Sequence, residues 1–282
     1  MRWRDQRQSS NVEDRRGVSG RGMAVGGGIG TILLIGLALL FGVDPRNFLN
    51  QGPQQSQPGA QSSRPLNPKE EELKQFSSTV LASTEDVWND IFRRGGQQYR
   101  EPKLTLFTDQ VRSACGNAGA STGPFYCPGD ERVYLDLAFF EELRTRFQSP
   151  GDFAQAYVIA HEVGHHIQQM LGTMNKVNAA QQRANEVQAN QLSVRLELQA
   201  DFYAGVWAYY AQKKGLLEAG DMEEALRAAT AIGDDRLQKE TRGYVVPDSF
   251  THGTSEQRVR WFRRGFETGD MRQGDTFNTR SL

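Results

Sequence analysis

Hydrophobic and polar residues repeat along the chain with two different periods, and each period predicts one kind of element. Between residues 71 and 96 the apolar positions lie three or four residues apart, which predicts one or two amphipathic helices. Residues 103–109 and 131–140 alternate with period two instead, as half-buried strands do. A short helix is predicted to overlap the end of the second strand, at residues 138–147.

Helical spacing dominates the second half of the chain. Residues 151–172 carry a continuous apolar stripe, which predicts a buried helix, and residues 184–215 predict a longer helix closed by Lys-Lys-Gly. Two more helices are predicted at residues 221–233 and 254–269, each opened by a good N-cap residue. Because a few strands are followed by several helices, this order favours an α+β fold over an alternating α/β fold.

A run without charge, residues 22–43, sets the N-terminal part of the chain apart. A helix of that length spans about 33 Å, at about 1.5 Å per residue, which is enough to cross the hydrocarbon core of a bilayer. We therefore expect a single transmembrane helix. A cleaved signal peptide is the alternative, but the run is longer than a typical signal core and no clear small-residue cleavage site follows it. A buried core helix would need a polar face, which the run lacks.

Composition on either side of this run predicts the domain boundaries. Residues 1–21 carry six arginines against three acids, which predicts a cytoplasmic N-terminal tail by the positive-inside rule. Residues 44–68 are rich in Gln, Ser, Pro and Gly and predict a flexible linker. We expect the globular domain at residues 69–268 and a polar tail at residues 269–282. The protein would then be a single-pass protein of the cell inner membrane, with its domain periplasmic or extracytoplasmic.

Net charge and cysteine usage narrow the function classes. The net charge of −1 argues against nucleic-acid binding, which needs a clear basic excess. The chain has two cysteines, Cys115 and Cys127, which would be ordinary thiols in a reducing compartment. Outside the cytoplasm we expect a disulfide between them. Their spacing is not C-x-x-C, which argues against a metal pair. The sequence does not indicate an oligomeric state.

Three of the four histidines lie within six positions of the helix predicted at residues 151–172. His161 and His165 are one turn apart and share a face, and Glu162 follows the first of them. This H-E-x-x-H pattern is typical of two zinc ligands and a general base. The alternative is a pair of core histidines beside an unrelated glutamate, which is costly in a buried helix without partners or metal. His166 is rotated about 100° from His165 and should point away from the site. Gly164 predicts a close packing partner there.

A catalytic zinc ion needs a third protein ligand and an open position for water. Glu197 and Asp201 are again one turn apart, within an otherwise apolar stretch of helix. We expect Glu197 to bind zinc and Asp201 to accept the free N–H of a zinc-bound histidine. The alternative is a solvated acidic face. The ligand types favour one Zn²⁺ per chain over other divalent ions.

HEVGH at residues 161–165, followed by ELQAD at residues 197–201, resembles the glutamate-zincin metallopeptidases with an E-x-x-A-D second motif. The chain resembles the bacterial neutral zinc metallopeptidase family more closely. Further segments that carry this resemblance are GPFYCPGDERVYLDL, LELQADFYAGVW and THGTSEQRVRWF. The resemblance covers residues 21–268. It implies a zincin-like domain, mostly helical with a small sheet, behind an N-terminal membrane anchor.

Two further segments have two interpretations each. Residues 251–258, THGTSEQR, resemble the T-H-P-P-x-x-x-R stretch of some membrane-linked zincins, although Gly253-Thr254 replaces the two prolines. His252 would then stabilise an oxyanion, or it would only cap the last helix. VYLDL at residues 133–137 is either the edge strand that zincins pair with an extended substrate or an ordinary core strand.

These observations predict a membrane-anchored zinc metallopeptidase in which Glu162 is the general base and His252 assists. Its substrate would be a peptide or protein, including a peptide crosslink of the cell wall. The alternative is a membrane-anchored zinc-binding interaction protein with little turnover.

Overall fold

The structure, a computed structural model, describes residues 1–16, 67–119 and 122–282. Its strands are β1 (Val12–Asp14), β2 (Lys103–Phe107), β3 (Gln110–Ser113), β4 (Gly116–Gly119), β5 (Phe125–Cys127) and β6 (Arg132–Asp136). Its α-helices are α1 (Pro68–Arg94), α2 (Ala138–Thr145), α3 (Asp152–Met170), α4 (Thr173–Gln181), α5 (Glu186–Lys213), α6 (Asp221–Ala231), α7 (Asp234–Arg242) and α8 (Ser255–Thr268). Mostly helical with small sheets, the fold confirms the predicted α+β class.

The transmembrane helix expected at residues 22–43 lies outside the described residues, as does nearly all of the linker expected at residues 44–68. Among the helices that are described, none combines the length and the apolar character needed to cross a membrane.

Four strands form one sheet in the order β1-β2-β6-β5. β1, β2 and β6 are parallel, whereas β5 runs antiparallel to β6 at the far edge. The strands predicted from alternation are therefore present as β2 and β6. Because β5 pairs with Arg132–Tyr134 of β6, the first part of VYLDL is a central strand, and the interpretation of the whole segment as an edge strand is wrong. β5 forms the edge instead. β3 and β4 make a separate hairpin.

Residues 1–16 pack against the domain, so the expectation of a detached N-terminal tail is corrected. β1 pairs with β2, placing Val12 beside Leu104. The indole of Trp3 meets the ring of Phe76 edge to face at 5.5 Å, and Trp3 is buried. Met1 and Trp3 are buried here, while Arg4 and Arg16 pair with Glu72 and Glu71 of the domain. Counting charge alone therefore misassigned this segment.

The polar tail expected at residues 269–282 also packs against the domain. The side-chain amide of Gln199 donates to the carbonyl oxygen of Gly274 at 2.8 Å, and the guanidinium of Arg195 donates to the carbonyl of Thr276. Thr276 is fully buried and returns a hydroxyl hydrogen bond to the carbonyl of Arg195. Polar side chains of α5 satisfy the backbone of this segment, which is why it docks despite its polar composition.

Two close helix contacts set the position of α5. A Cβ atom on Gly164 of α3 would lie 2.8 Å from the carbonyl oxygen of Ala200, which confirms the predicted close packing. On its other side α5 meets α8, where Gly205 and Gly265 face each other's helix backbone. Cβ atoms there would lie 2.0 and 2.1 Å from carbonyl oxygens. Without side chains at these points, α3, α5 and α8 approach closely enough to share one polar cluster.

Candidate metal centre

Helices α3 and α5 bring His161, His165 and Glu197 together. Nε2 of His161 lies 3.1 Å from one carboxylate oxygen of Glu197, and Nε2 of His165 lies 3.4 Å from the other. One ligand atom from each residue lies within 4.8 Å of the others, and all three side chains are buried. The three residues predicted as zinc ligands from sequence are therefore assembled at one point.

The ring nitrogens that face away from this point are held by other side chains. Nδ1 of His161 donates to a carboxylate oxygen of Asp201 at 2.8 Å. Nδ1 of His165 donates to the side-chain oxygen of Gln168 at 2.9 Å, whose amide in turn donates to the carbonyl of Leu196 at 2.6 Å. Both histidines therefore direct Nε2 at the cluster, the orientation that metal-binding histidines have.

Asp201 is fully buried and contacts His161 as predicted, and it has two further partners that the sequence analysis missed. The Tyr157 hydroxyl donates to its carboxylate at 2.5 Å. The guanidinium of Arg258 donates to both carboxylate oxygens, at 2.8 and 3.0 Å. Sequence signals existed for both residues, because Tyr157 lies one helical turn before His161 and Arg258 belongs to the quoted THGTSEQR stretch.

Opposite charges stabilise these side chains beside one another. Burial alone would lower the pKa of His161, but the Asp201 and Glu197 carboxylates outweigh burial and raise that pKa to about 10. Burial would raise the pKa of Glu197, but His165, His252 and the hydrogen bonds from His161 and His165 hold it well below its usual value. A metal ion must therefore displace protons from the histidines as it binds.

Glu162 lies beside the first histidine and is 7% exposed. Burial raises the pKa of its carboxyl above the ordinary value, while the neighbouring histidines oppose that rise. No other described residue donates a hydrogen bond to it. Its oxygens are therefore available to a water molecule or a substrate.

His252 approaches the cluster from the loop before α8. Its Nδ1 lies 2.8 Å from the Thr251 hydroxyl, and its backbone N–H donates to Asp234 at 2.6 Å. The same Asp234 oxygen accepts the N–H of Gly253, whose φ of +89° suits glycine. Among the described residues, Nε2 of His252 has no partner. The cap of α8 is Thr254, so the interpretation of His252 as that helix's cap is wrong.

His166 points away from the metal centre, as predicted. Its Nε2 donates to the carbonyl of Arg100 at 2.5 Å, and its Nδ1 accepts from the hydroxyl of Tyr126 at 3.1 Å. Burial lowers the pKa of His166, which favours this neutral form. Since Tyr126 belongs to β5, the ring ties the edge strand to the helix that carries the metal ligands.

The predicted disulfide between Cys115 and Cys127 is present and connects the β3–β4 hairpin to β5. Phe125 and Tyr134 stack with ring centroids 4.8 Å apart in the apolar cluster around it. The edge strand is thus fixed from two directions, by the disulfide and by His166.

The cluster fits zinc on its own chemistry. Two imidazole nitrogens and a carboxylate are the protein ligands of one common class of catalytic zinc site. A second group of acids, Asp152, Asp221 and Glu224, has no nitrogen donor from histidine, and the N-terminal ammonium of Met1 contacts Asp152 and Asp221. The predicted ion, one Zn²⁺ per chain, has its best site at His161, His165 and Glu197.

Comparison with known proteins agrees with this site. The model of a family described as "Putative neutral zinc metallopeptidase" matches residues 1–277. "Uncharacterized protein YpfJ" of Escherichia coli (strain K12) is 49% identical over 287 residues, which cover 98% of this chain and 99% of that protein. "Uncharacterized protein Mb2605" of Mycobacterium bovis is 41% identical over 260 residues, which cover 87% and 86%. No solved structure matches the chain.

Proposed function

The chain belongs to the putative neutral zinc metallopeptidase family, and we propose that it hydrolyses peptide bonds at the centre formed by His161, His165 and Glu197. One observation carries the proposal. One ligand atom each from His161, His165 and Glu197 lies within 4.8 Å of the others, and the carboxyl of Glu162, which interacts electrostatically with all three, receives no hydrogen bond from another described residue. These are the ligand set and the base that metal-assisted hydrolysis requires.

Zinc held by these three residues would supply a Lewis acid and an activated water. Glu162 accepts a proton from the attacking water and delivers it to the leaving amine, which it can do because no other described residue occupies its oxygens. Its buried position raises its pKa, which makes the carboxylate a stronger acceptor of that proton. Asp201, held by Arg258, fixes the ring of His161.

Nε2 of His252 is proposed to stabilise the negative charge that develops on the substrate carbonyl oxygen. Asp234 supports this role, because it accepts three consecutive backbone N–H groups around His252 and keeps the loop in place. The substrate is proposed to be a peptide or protein that binds in extended form along β5. Within the described part of the chain this edge strand pairs with β6 alone, and it is tied to α3 through His166.

Residues 22–43 are proposed to attach the protein to the cell inner membrane, on the strength of their length and lack of charge. The metal centre would then face the periplasmic or extracytoplasmic side, because a disulfide such as Cys115–Cys127 persists in oxidising compartments.

The test compares the purified full chain with Glu162→Gln for zinc content and for cleavage of an unfolded protein. We expect both proteins to hold one zinc ion, and the variant to lose turnover by roughly 10²-fold or more. Glu197→Ala should lose zinc and turnover together. Near-normal hydrolysis by Glu162→Gln would refute the assigned base. A wild type that holds zinc but cleaves nothing would leave the interaction-protein alternative.

A further inference from the structure

Residues 1–16, called the arm here, join the rest of the described chain, called the body, through regular backbone hydrogen bonds. The N–H of Leu104 donates to the carbonyl of Asn11 at 2.9 Å, and the N–H of Arg15 donates to the carbonyl of Leu106 at 2.8 Å. Further back along the arm, the N–H of Ser9 donates to the carbonyl of Ser78 in α1 at 3.0 Å. The arm thus supplies the outer strand of the sheet and also contacts a helix.

A buried acid of the body depends on the arm. The side chain of Glu85 in α1 is 1% exposed. Its hydrogen-bond donors among the described residues all come from the arm: the Ser9 hydroxyl, the Asn11 amide at 2.9 Å and the Arg7 guanidinium at 3.0 Å. Without the arm, this carboxylate would lose the counter-charge of Arg7 and every hydrogen-bond donor that it has among the described residues. The body is therefore built to receive this segment.

The arginines of the arm are engaged by acids. Arg16 is nearly buried and donates to Glu71 at 2.7 Å, and Arg4 donates to Glu72 at 2.6 Å. In the reverse sense, Glu13 of the arm accepts from Arg132 of β6. The positive charge that the positive-inside rule would count in this segment is therefore largely neutralised within the fold.

We propose that the arm is a permanent part of the body, and that residues 16 and 67 consequently lie on the same side of any membrane that residues 22–43 enter. A single crossing between them would place the arm and the body on opposite sides, where β1 could not pair with β2. Attachment through residues 22–43 must then leave both flanks in one compartment. The expected topology, with a cytoplasmic N-terminus and the domain on the other side of the membrane, does not satisfy this condition.

Single cysteines introduced into the full-length protein can show on which side of the membrane the arm and the body lie. Ser10→Cys reports on the arm and Gln182→Cys on the body, because both positions are exposed and the two native cysteines are joined to each other. Each variant is treated with a membrane-impermeant maleimide, in intact spheroplasts and after permeabilisation. We expect one pattern for both variants, whether labelled without permeabilisation or only after it. Opposite patterns would overturn the proposal.

Docking itself is tested by hydrogen exchange on the purified full chain. We expect the amides of Ser9 and Arg15 to be protected, and Glu85→Gln to speed their exchange by roughly tenfold or more. Glu72→Gln is the matched control, since it removes only an exposed ion pair with Arg4 and should change exchange little. Unprotected amides in the wild type would show that the arm does not dock, whatever the function of the metal centre.

Discussion

Replacing Gly164 by alanine tests whether the close approach of α3 and α5 positions the metal ligands. The new Cβ would lie 2.8 Å from the carbonyl oxygen and 3.1 Å from Cα of Ala200, whereas ordinary contact begins at 3.4 Å. Both atoms belong to helix backbone, so the conflict cannot be relieved by turning a side chain. The helices must separate by about 0.6 Å, which is the difference between 3.4 and 2.8 Å.

Two opposing effects decide the change in stability. Alanine within a helix is favoured over glycine by about 1 kcal/mol. Overpacking a core contact costs about 1–3 kcal/mol, so the variant should be destabilised by up to about 2 kcal/mol. The effect on zinc should be clearer. Glu197 lies less than one turn before Ala200, and a shift of about 0.6 Å exceeds the ±0.2 Å or so tolerated in metal–ligand distances.

We therefore expect Gly164→Ala to bind zinc about 10–100-fold more weakly, a loss typical of disturbing the support of a metal ligand. The assay is a zinc titration against a competing chelator, with urea unfolding in parallel. Gly95→Ala is the control, because its Cβ would make only ordinary contacts of 3.4 and 3.6 Å in the absence of positive φ. Unchanged zinc affinity in Gly164→Ala would show that the helix spacing does not set the ligand geometry.

Three further predictions concern contacts around the centre and the arm. Asp201→Asn should cost about 3–5 kcal/mol in urea unfolding, because it leaves Arg258 buried without its counter-charge, whereas the exposed Asp270→Asn should change stability little. Gln168→Leu should weaken zinc binding about 10–100-fold by removing the acceptor of His165. Gln169→Leu should not, because the side-chain oxygen of Gln169 has no hydrogen-bond partner among the described residues. Acid should release the arm: hydrogen bonds from Arg15 and Arg132 lower the pKa of Glu13 to about 2 from 4.5. Because the part of that depression contributed by Arg132 of β6 exists only when the arm is docked, its stabilisation is present above pH 4.5 and is lost as the pH falls toward 2, which hydrogen exchange at Arg15 would detect. Equal arm protection at pH 6 and pH 3 would contradict the last prediction.

The centre was predictable wherever its geometry follows from one helix. His161 and His165 are one turn apart on α3, and Glu197 and Asp201 are one turn apart on α5, so each pair shares a face as soon as the helix is recognised. The supporting residue Gln168 lies three positions after His165 on α3 and was also within reach of this reasoning.

The arm and the C-terminal segment were not predictable in the same way. β1 is three residues long, and Val12 pairs with Leu104, far along the chain. A strand that short has no periodicity of its own, and parallel pairing leaves no turn signal in the sequence. The polar composition of both segments was interpreted as a sign that they are solvated. In the structure, polar groups of the domain bind them: Glu85 binds the arm and Arg195 binds the C-terminal segment.

The placement of β1 also bears on self-association. An uncovered strand edge pairs readily with another chain and invites aggregation. β1 covers the edge of β2 with a strand too short to propagate such pairing, and the opposite edge, β5, is braced by the Cys115–Cys127 disulfide. Loss of the arm would therefore uncover a buried parallel strand, Leu104 and Leu106 included, and leave an open edge along β2 at which copies of the protein could pair and aggregate.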